Sequence, residues 1–209
     1  YENTGNNSFV EHSFFANISG PRDIAAGDMD NDGDVDIITA SAIDDKIAWY
    51  ENTSTGFQQH DITTQFLGAY CLKIVDLDLD GFKDIMAGGL AGNKISVFKN
   101  LTNKTFSEMV LVSNYTYPYS IDVKDVDGDS DLDFLTVSSG SGKLSLFEQT
   151  SALNFSEIVI DSLLSAPRSA VISDINMDGQ LDYCAASSSD DMVYAYLATT
   201  GGMSYNKTL

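Results

Sequence analysis

The chain has 209 residues, 43% of them hydrophobic, and carries a formal net charge of −20 from 31 acidic against 11 basic side chains. That apolar content suffices for a core and argues against intrinsic disorder, while the charge argues against a nucleic-acid or anionic-membrane surface, which needs a basic face. No apolar run approaches the ~20 residues that span a bilayer, and a start without initiator Met or leader reads as a mature or excised segment.

Tyr1-Glu-Asn-Thr repeats as Tyr50-Glu-Asn-Thr and predicts the end of a third strand; Phe9-Val-Glu-His12 matches Phe57-Gln-Gln-His60 and predicts an outer strand. Pro21-Arg-Asp-Ile-Ala-Ala-Gly then alternates apolar residues with period two, as a half-buried strand does. It runs into the loop Asp28-Met-Asp-Asn-Asp-Gly-Asp-Val-Asp36, followed by strands at Ile37-Ile-Thr-Ala, Ile47-Ala-Trp-Tyr50 and from Phe57. The same succession returns three times. Ala69-Tyr-Cys-Leu-Lys-Ile-Val, Pro118-Tyr-Ser-Ile-Asp-Val-Lys and Pro167-Arg-Ser-Ala-Val-Ile-Ser lead into loops 76–84, 125–133 and 174–182. Second strands start at Ile85, Phe134 and Tyr183, third strands end at Phe98, Phe147 and Tyr196, and fourth strands begin at Phe106, Phe155 and Tyr205. The first loop residues stand 48, 49 and 49 positions apart.

Each loop offers side-chain oxygens at positions 1, 3, 5 and 9: Asp28, Asp30, Asp32 and Asp36; Asp76, Asp78, Asp80 and Asp84; Asp125, Asp127, Asp129 and Asp133; Asp174, Asn176, Asp178 and Asp182. Glycine at position 6 or 4 makes the turn, and the position-7 carbonyls of Asp34, Phe82, Asp131 and Gln180 add a ligand. Hard oxygen ligands at this spacing suit Ca²⁺, which takes six to eight of them; without a cation the carboxylates repel one another. About four Ca²⁺ ions are expected, and they would take the net charge from −20 to −12. Asn176 predicts a weaker fourth site. The ions are read chiefly as clamps on their hairpins.

Four short antiparallel strands per repeat of this length predict an all-β fold of β-propeller blades, with the calcium loop between the first two strands of each. By these motifs the whole chain resembles the FG-GAP/VCBS repeat family, found in integrin-like propellers and secreted microbial proteins. The expected organisation is one propeller region over 1–209, with a partial outer strand in 1–20 and repeats at 21–68, 69–117, 118–166 and 167–209. Five outer strands for four inner triplets favour a window of a longer array, since members of the resembled family commonly close with seven blades. A closed four-blade ring, or pairing of the spare strand with a neighbouring molecule, is the alternative.

Catalysis finds little support. His12 and His60 occupy equivalent outer-strand positions, as repetition produces and a triad does not require, and nearly every close carboxylate pair serves a calcium loop. Arg22, Tyr70, Tyr119 and Arg168 each lie six residues before a loop and are expected to encircle one mouth, where they could stack on sugars or pair with carboxylates. Eight of the 13 asparagines open an Asn-x-Ser/Thr triplet (Asn6, Asn17, Asn52, Asn100, Asn103, Asn114, Asn154 and Asn206), where 38 Ser and Thr in 209 residues would give two or three. That excess predicts an extracellular or cell-surface glycoprotein. Cys71 and Cys184 read as free thiols in strands. The functional expectation is a non-catalytic adhesion or recognition module for glycans or proteins, the alternative a structural subunit of a glycosylated filament or matrix that self-associates through its terminal strands.

Overall fold

In the computed structural model, residues 2–11, 18–199 and 202–208 are described, and every helix or strand among them is a strand. β1 (Glu2–Gly5) and β2 (Ser8–Val10) pair only with each other; the other strands form four antiparallel sheets. These hold β3 (Pro21–Gly27), β4 (Asp36–Ser41), β5 (Lys46–Thr53) and β6 (Gly56–Thr63); β7 (Ala69–Val75), β8 (Asp84–Gly89), β9 (Lys94–Asn100) and β10 (Phe106–Ser113); β11 (Pro118–Lys124), β12 (Asp133–Ser138), β13 (Lys143–Ser151) and β14 (Asn154–Asp161); and β15 (Pro167–Ser173), β16 (Asp182–Ser187), β17 (Met192–Thr199) and β18 (Gly202–Thr208). Strand order in each sheet follows chain order. The fold is therefore all-β, built of four-stranded antiparallel sheets.

Ser8–Val10, within the expected outer strand at Phe9–His12, pairs with Glu2–Gly5 in the register of a third and a fourth strand: Asn3 lies opposite Phe9 as Asn52 lies opposite Phe57. This hairpin joins none of the four sheets. His12 and Asn17 lie outside the described residues, as does the side chain of Asn206.

Neighbouring sheets pack face to face and bury one apolar cluster at each of three interfaces. Trp49, Ile38 and Ile47 meet Phe66, Leu72, Ile85 and Phe98 at the first; Met86, Ile95 and Val97 meet Ile121, Phe134 and Phe147 at the second; Leu135, Val137 and Leu144 meet Ile172, Tyr183 and Tyr194 at the third. A middle strand serves two clusters at once: Ile85 and Ala87 face the first and Met86 the second. Such strands read as unbroken apolar runs, and each fully buried Ile or Met contributes about 1.5–3 kcal/mol. Polar contacts reinforce the interfaces. The Leu72 amide donates to Asp23 Oδ2 at 2.9 Å, the Ala170 amide to Ser120 Oγ at 3.0 Å and the Ile172 amide to Asp122 Oδ2 at 2.9 Å.

Both ends of this row are uncovered. Ile24 is 65% exposed, whereas its counterparts Leu72, Ile121 and Ala170 are 3–4% exposed, and at the far end Val171 is 48% exposed. The described sheets therefore do not close into a ring. Cys71 and Cys184 are free; burial pushes the Cys71 thiol up to about 12.

Candidate functional site

Every Asp loop uses the same backbone device. The residues at positions 4 and 6 are left-handed: Asn31 and Gly33, Leu79 and Gly81, Gly128 and Ser130, Met177 and Gly179, with φ between 59° and 94°. In the third loop glycine and side chain have exchanged places, leaving Ser130 at φ 79°. A non-glycine residue in this region costs about 1–2 kcal/mol, so Ser130→Gly is expected to raise stability by about 1 kcal/mol, read as a higher urea midpoint with unchanged slope.

The position-1 carboxylate closes the turn. Asp28 accepts from the amides of Asp32 (3.2 Å) and Gly33 (3.0 Å), Asp76 from Asp80 and Gly81 (both 3.0 Å), and Asp174 from Asp178 (3.1 Å) and Gly179 (2.9 Å). In the third loop the acceptances shift with the glycine, to Gly128 (2.7 Å) and Ser130 (3.0 Å). Position 9 works differently. Asp36, Asp84, Asp133 and Asp182 are buried, and each holds one amide of its loop (Met29, Leu77, Val126, Ile175) with Oδ2 and one amide of the third strand (Asn52, Asn100, Gln149, Ala198) with Oδ1, at 2.7–3.2 Å. The last aspartate thus ties its loop to a strand 16 residues away.

Position 3 points to a cation. Asp30 Oδ1 and Asp78 Oδ1 are buried with no hydrogen-bond partner, a costly state for a carboxylate oxygen unless an ion meets it. Carboxylate oxygens of Asp28, Asp30 and Asp32, of Asp76, Asp78 and Asp84, and of Asp125, Asp127 and Asp133 lie within 4.8 Å of one another. Three loops therefore present converging all-oxygen donor sets that fit a hard divalent ion. The fourth has no such group among the described residues: Asn176 Nδ2 donates to Asp178 Oδ2 at 3.0 Å and turns a donor into the site. Burial is the main force on these carboxyls, with neighbouring carboxylates adding to it. Burial, then Asp32, raises Asp30; burial, opposed by two amides and reinforced by Asp78 and Asp80, pushes Asp84 up to about 6; burial raises Asp133.

Three residues at these loops escaped the sequence reading, all directly after the third-strand aromatic. Lys99 sets its ammonium against Asp78, with Asp80 at 3.5 Å. Burial, then the neighbouring Asp127, raises the Glu148 carboxyl. Glu51 is held by Lys104 and by His60 Nε2 at 2.7 Å. His60, tilted against Trp49 with ring centres 4.9 Å apart, thus serves packing and a hydrogen bond to Glu51. The repeat register marked that position, but the loop it faces lies across a strand pair.

The sequons separate by burial. Asn6, Asn103, Asn114 and Asn154 are exposed and Asn52 is half-buried. Asn100, only 3% exposed, is a correction: its amide nitrogen donates to Met29 O at 2.8 Å and Lys83 O at 3.1 Å and is not free for a glycan. Expression in a eukaryotic secretory host with peptide mass mapping is expected to find Asn100 unmodified and Asn103 and Asn114 modified.

Arg22, Tyr70, Tyr119 and Arg168, from four different sheets, line one cavity of about 420 Å³ together with Ala42 and Leu90. Tyr70 and Tyr119 meet edge to face at 4.8 Å; the guanidinium of Arg22 lies 5.5 Å from the Tyr70 ring centre and that of Arg168 lies 4.1 Å from the Tyr119 centre. Each contact is a cation–π pair.

The family described as FG-GAP-like repeat matches residues 28–87, 76–136 and 125–185, each match running from one Asp loop through the next. No curated protein matches the chain. Among solved structures, an auxiliary nutrient binding protein from Bacteroides ovatus ATCC 8483 aligns with a TM-score of 0.56 at 12% identity, over 87% of this chain and 46% of that one. The chain thus spans about half the length of that protein, and the likeness is one of fold.

Proposed function

The chain belongs to the FG-GAP-like repeat family, and on that premise we propose that it is a non-catalytic, calcium-clamped part of a β-propeller that recognises glycans or proteins outside the cell. The observation that carries this reading is the convergence of four equivalent repeat positions on one cavity lined by Arg22, Tyr70, Tyr119 and Arg168. Position-3 oxygens without partners support calcium as the ion that holds the loops, and exposed sequons support the secretory setting. The Bacteroides ovatus relative is described as a nutrient binding protein, in keeping with a binding role. The test is a glycan and peptide array probed with the calcium-loaded chain. Retention of a ligand that is lost on combining Arg22→Ala with Arg168→Ala supports the reading; turnover of a polysaccharide by the isolated chain overturns it.

A structural role has its own observation, the uncovered apolar ends at Ile24 and Val171. In that reading the chain is a subunit of a glycosylated filament or matrix. Sedimentation then shows concentration-dependent assembly that Ile24→Asp abolishes.

A further inference from the structure

The chain contains only two arginines, Arg22 and Arg168, and both line the same cavity. Their charge is unspent. Lys46, Lys73, Lys94, Lys99, Lys104 and Lys143 all form ion pairs, but among the described residues no carboxylate pairs with either arginine. In a chain of net charge −20, two guanidiniums without internal counter-charge at one opening are a local reversal of the surrounding field.

Their geometry is also set in advance. The Arg168 face rests on Tyr119, and its Nε–H donates to Ser188 Oγ at 3.1 Å; that hydroxyl donates onward to Ala166 O at 3.0 Å. One of five guanidinium N–H donors is thereby used, and the four on the two Nη atoms stay available. A planar fork presented on its edge matches the two oxygens of a carboxylate. Ala42 and Leu90 give the cavity an apolar wall for the body that carries it.

Resting on the mouth being the recognition surface, we propose that its ligand is a small carboxylate-bearing molecule or residue, such as a uronate sugar, with the acid group held by Arg168 and Arg22. The clamp is local: elsewhere the acidic surface repels anions, so their capture is confined to this opening.

Calorimetric titration of the calcium-loaded full chain at low ionic strength tests this with glucuronate and N-acetylalanine as probes, glucose as neutral control and inorganic phosphate as the competing oxyanion. Saturable binding of either carboxylate is expected, weakening as NaCl is raised, with at least a tenfold loss in Arg168→Gln and partial retention in Arg168→Lys. The tighter of the two acids identifies the carrier as sugar or amino-acid-like. Both variants alter an exposed side chain, so unchanged melting temperatures certify the fold. Phosphate binding more tightly than both acids, or equal binding of acids by Arg168→Gln, overturns the carboxylate assignment. Glucose binding that matches glucuronate and is lost in Tyr119→Ala overturns it too, while leaving recognition at the mouth intact; absence of any ligand from both titration and array removes both readings.

Discussion

Chelation of the loops by EDTA is expected to lower the melting temperature by roughly 15–30 °C, and Ca²⁺ but not Mg²⁺ to restore it. Three loops present converging carboxylates. Free calcium 100-fold above the dissociation constant stabilises by about 2.7 kcal/mol per site, and 1 kcal/mol corresponds to about 2–4 °C for a chain of this size. Mg²⁺ demands a tight octahedron and keeps its waters, so a wide Asp loop suits it poorly. Acidity supplies an internal control. Burial raises Asp84 to about 6, so as pH falls the folded metal-free chain takes up that proton before the unfolded chain does. The metal-free protein should gain stability from pH 7 toward pH 5, while the calcium form should lose it over the same window as protons displace the ion. A melting temperature indifferent to EDTA would refute the metal assignment.

Asp36→Ala is expected to cost about 2–5 kcal/mol, and to do so with or without calcium. Its carboxylate is fully buried and holds the amides of Met29 and Asn52 at 3.0 and 2.7 Å. Truncation strands both amides in a dry site, at about 1–3 kcal/mol each. Asp36 lies outside the converging group of its own loop, which consists of Asp28, Asp30 and Asp32. Asp30→Asn therefore serves as the contrast, weakening calcium-dependent stabilisation and sparing the metal-free protein. Urea titration of both variants in calcium and in EDTA separates the roles; an Asp36→Ala effect that vanishes in EDTA would show that the residue acts through the ion alone.

Sequence alone made the repeat, the strand order and the Asp loops legible, because those are local signals: two-residue alternation, paired aspartates and a glycine at a left-handed turn. Even the exchange of Gly128 and Ser130 was visible. The double use of the last aspartate was not, since its second partner is an amide 16 residues on that only the strand pairing brings near. Lys99 was missed for the same reason. Asn100 fits the glycosylation triplet in sequence, and burial beneath the first loop removes it. The gathering of Arg22, Tyr70, Tyr119 and Arg168 followed from radial equivalence, but their pairing as cation on ring depends on rotamers that no spacing encodes. The pairing of Asn3 with Phe9 was legible because the motif repeats that of Asn52 and Phe57.

The hydrogen bonds that the Leu72, Ala170 and Ile172 amides donate to Asp23, Ser120 and Asp122 of the preceding sheet carry a consequence for how the molecule comes apart. Each sheet is coupled only to its immediate neighbours, so cooperativity must pass along the row link by link, as in other repeat arrays. The end sheets, each held on a single side, should fray first and exchange their amide protons fastest, with β8 and β12 slowest. Weakening one internal link, for example by Ser120→Ala, should split a single unfolding transition into two. The protein would then lose its far end while its near end stayed folded, a fault line that lies at an interface between sheets and not within any one of them.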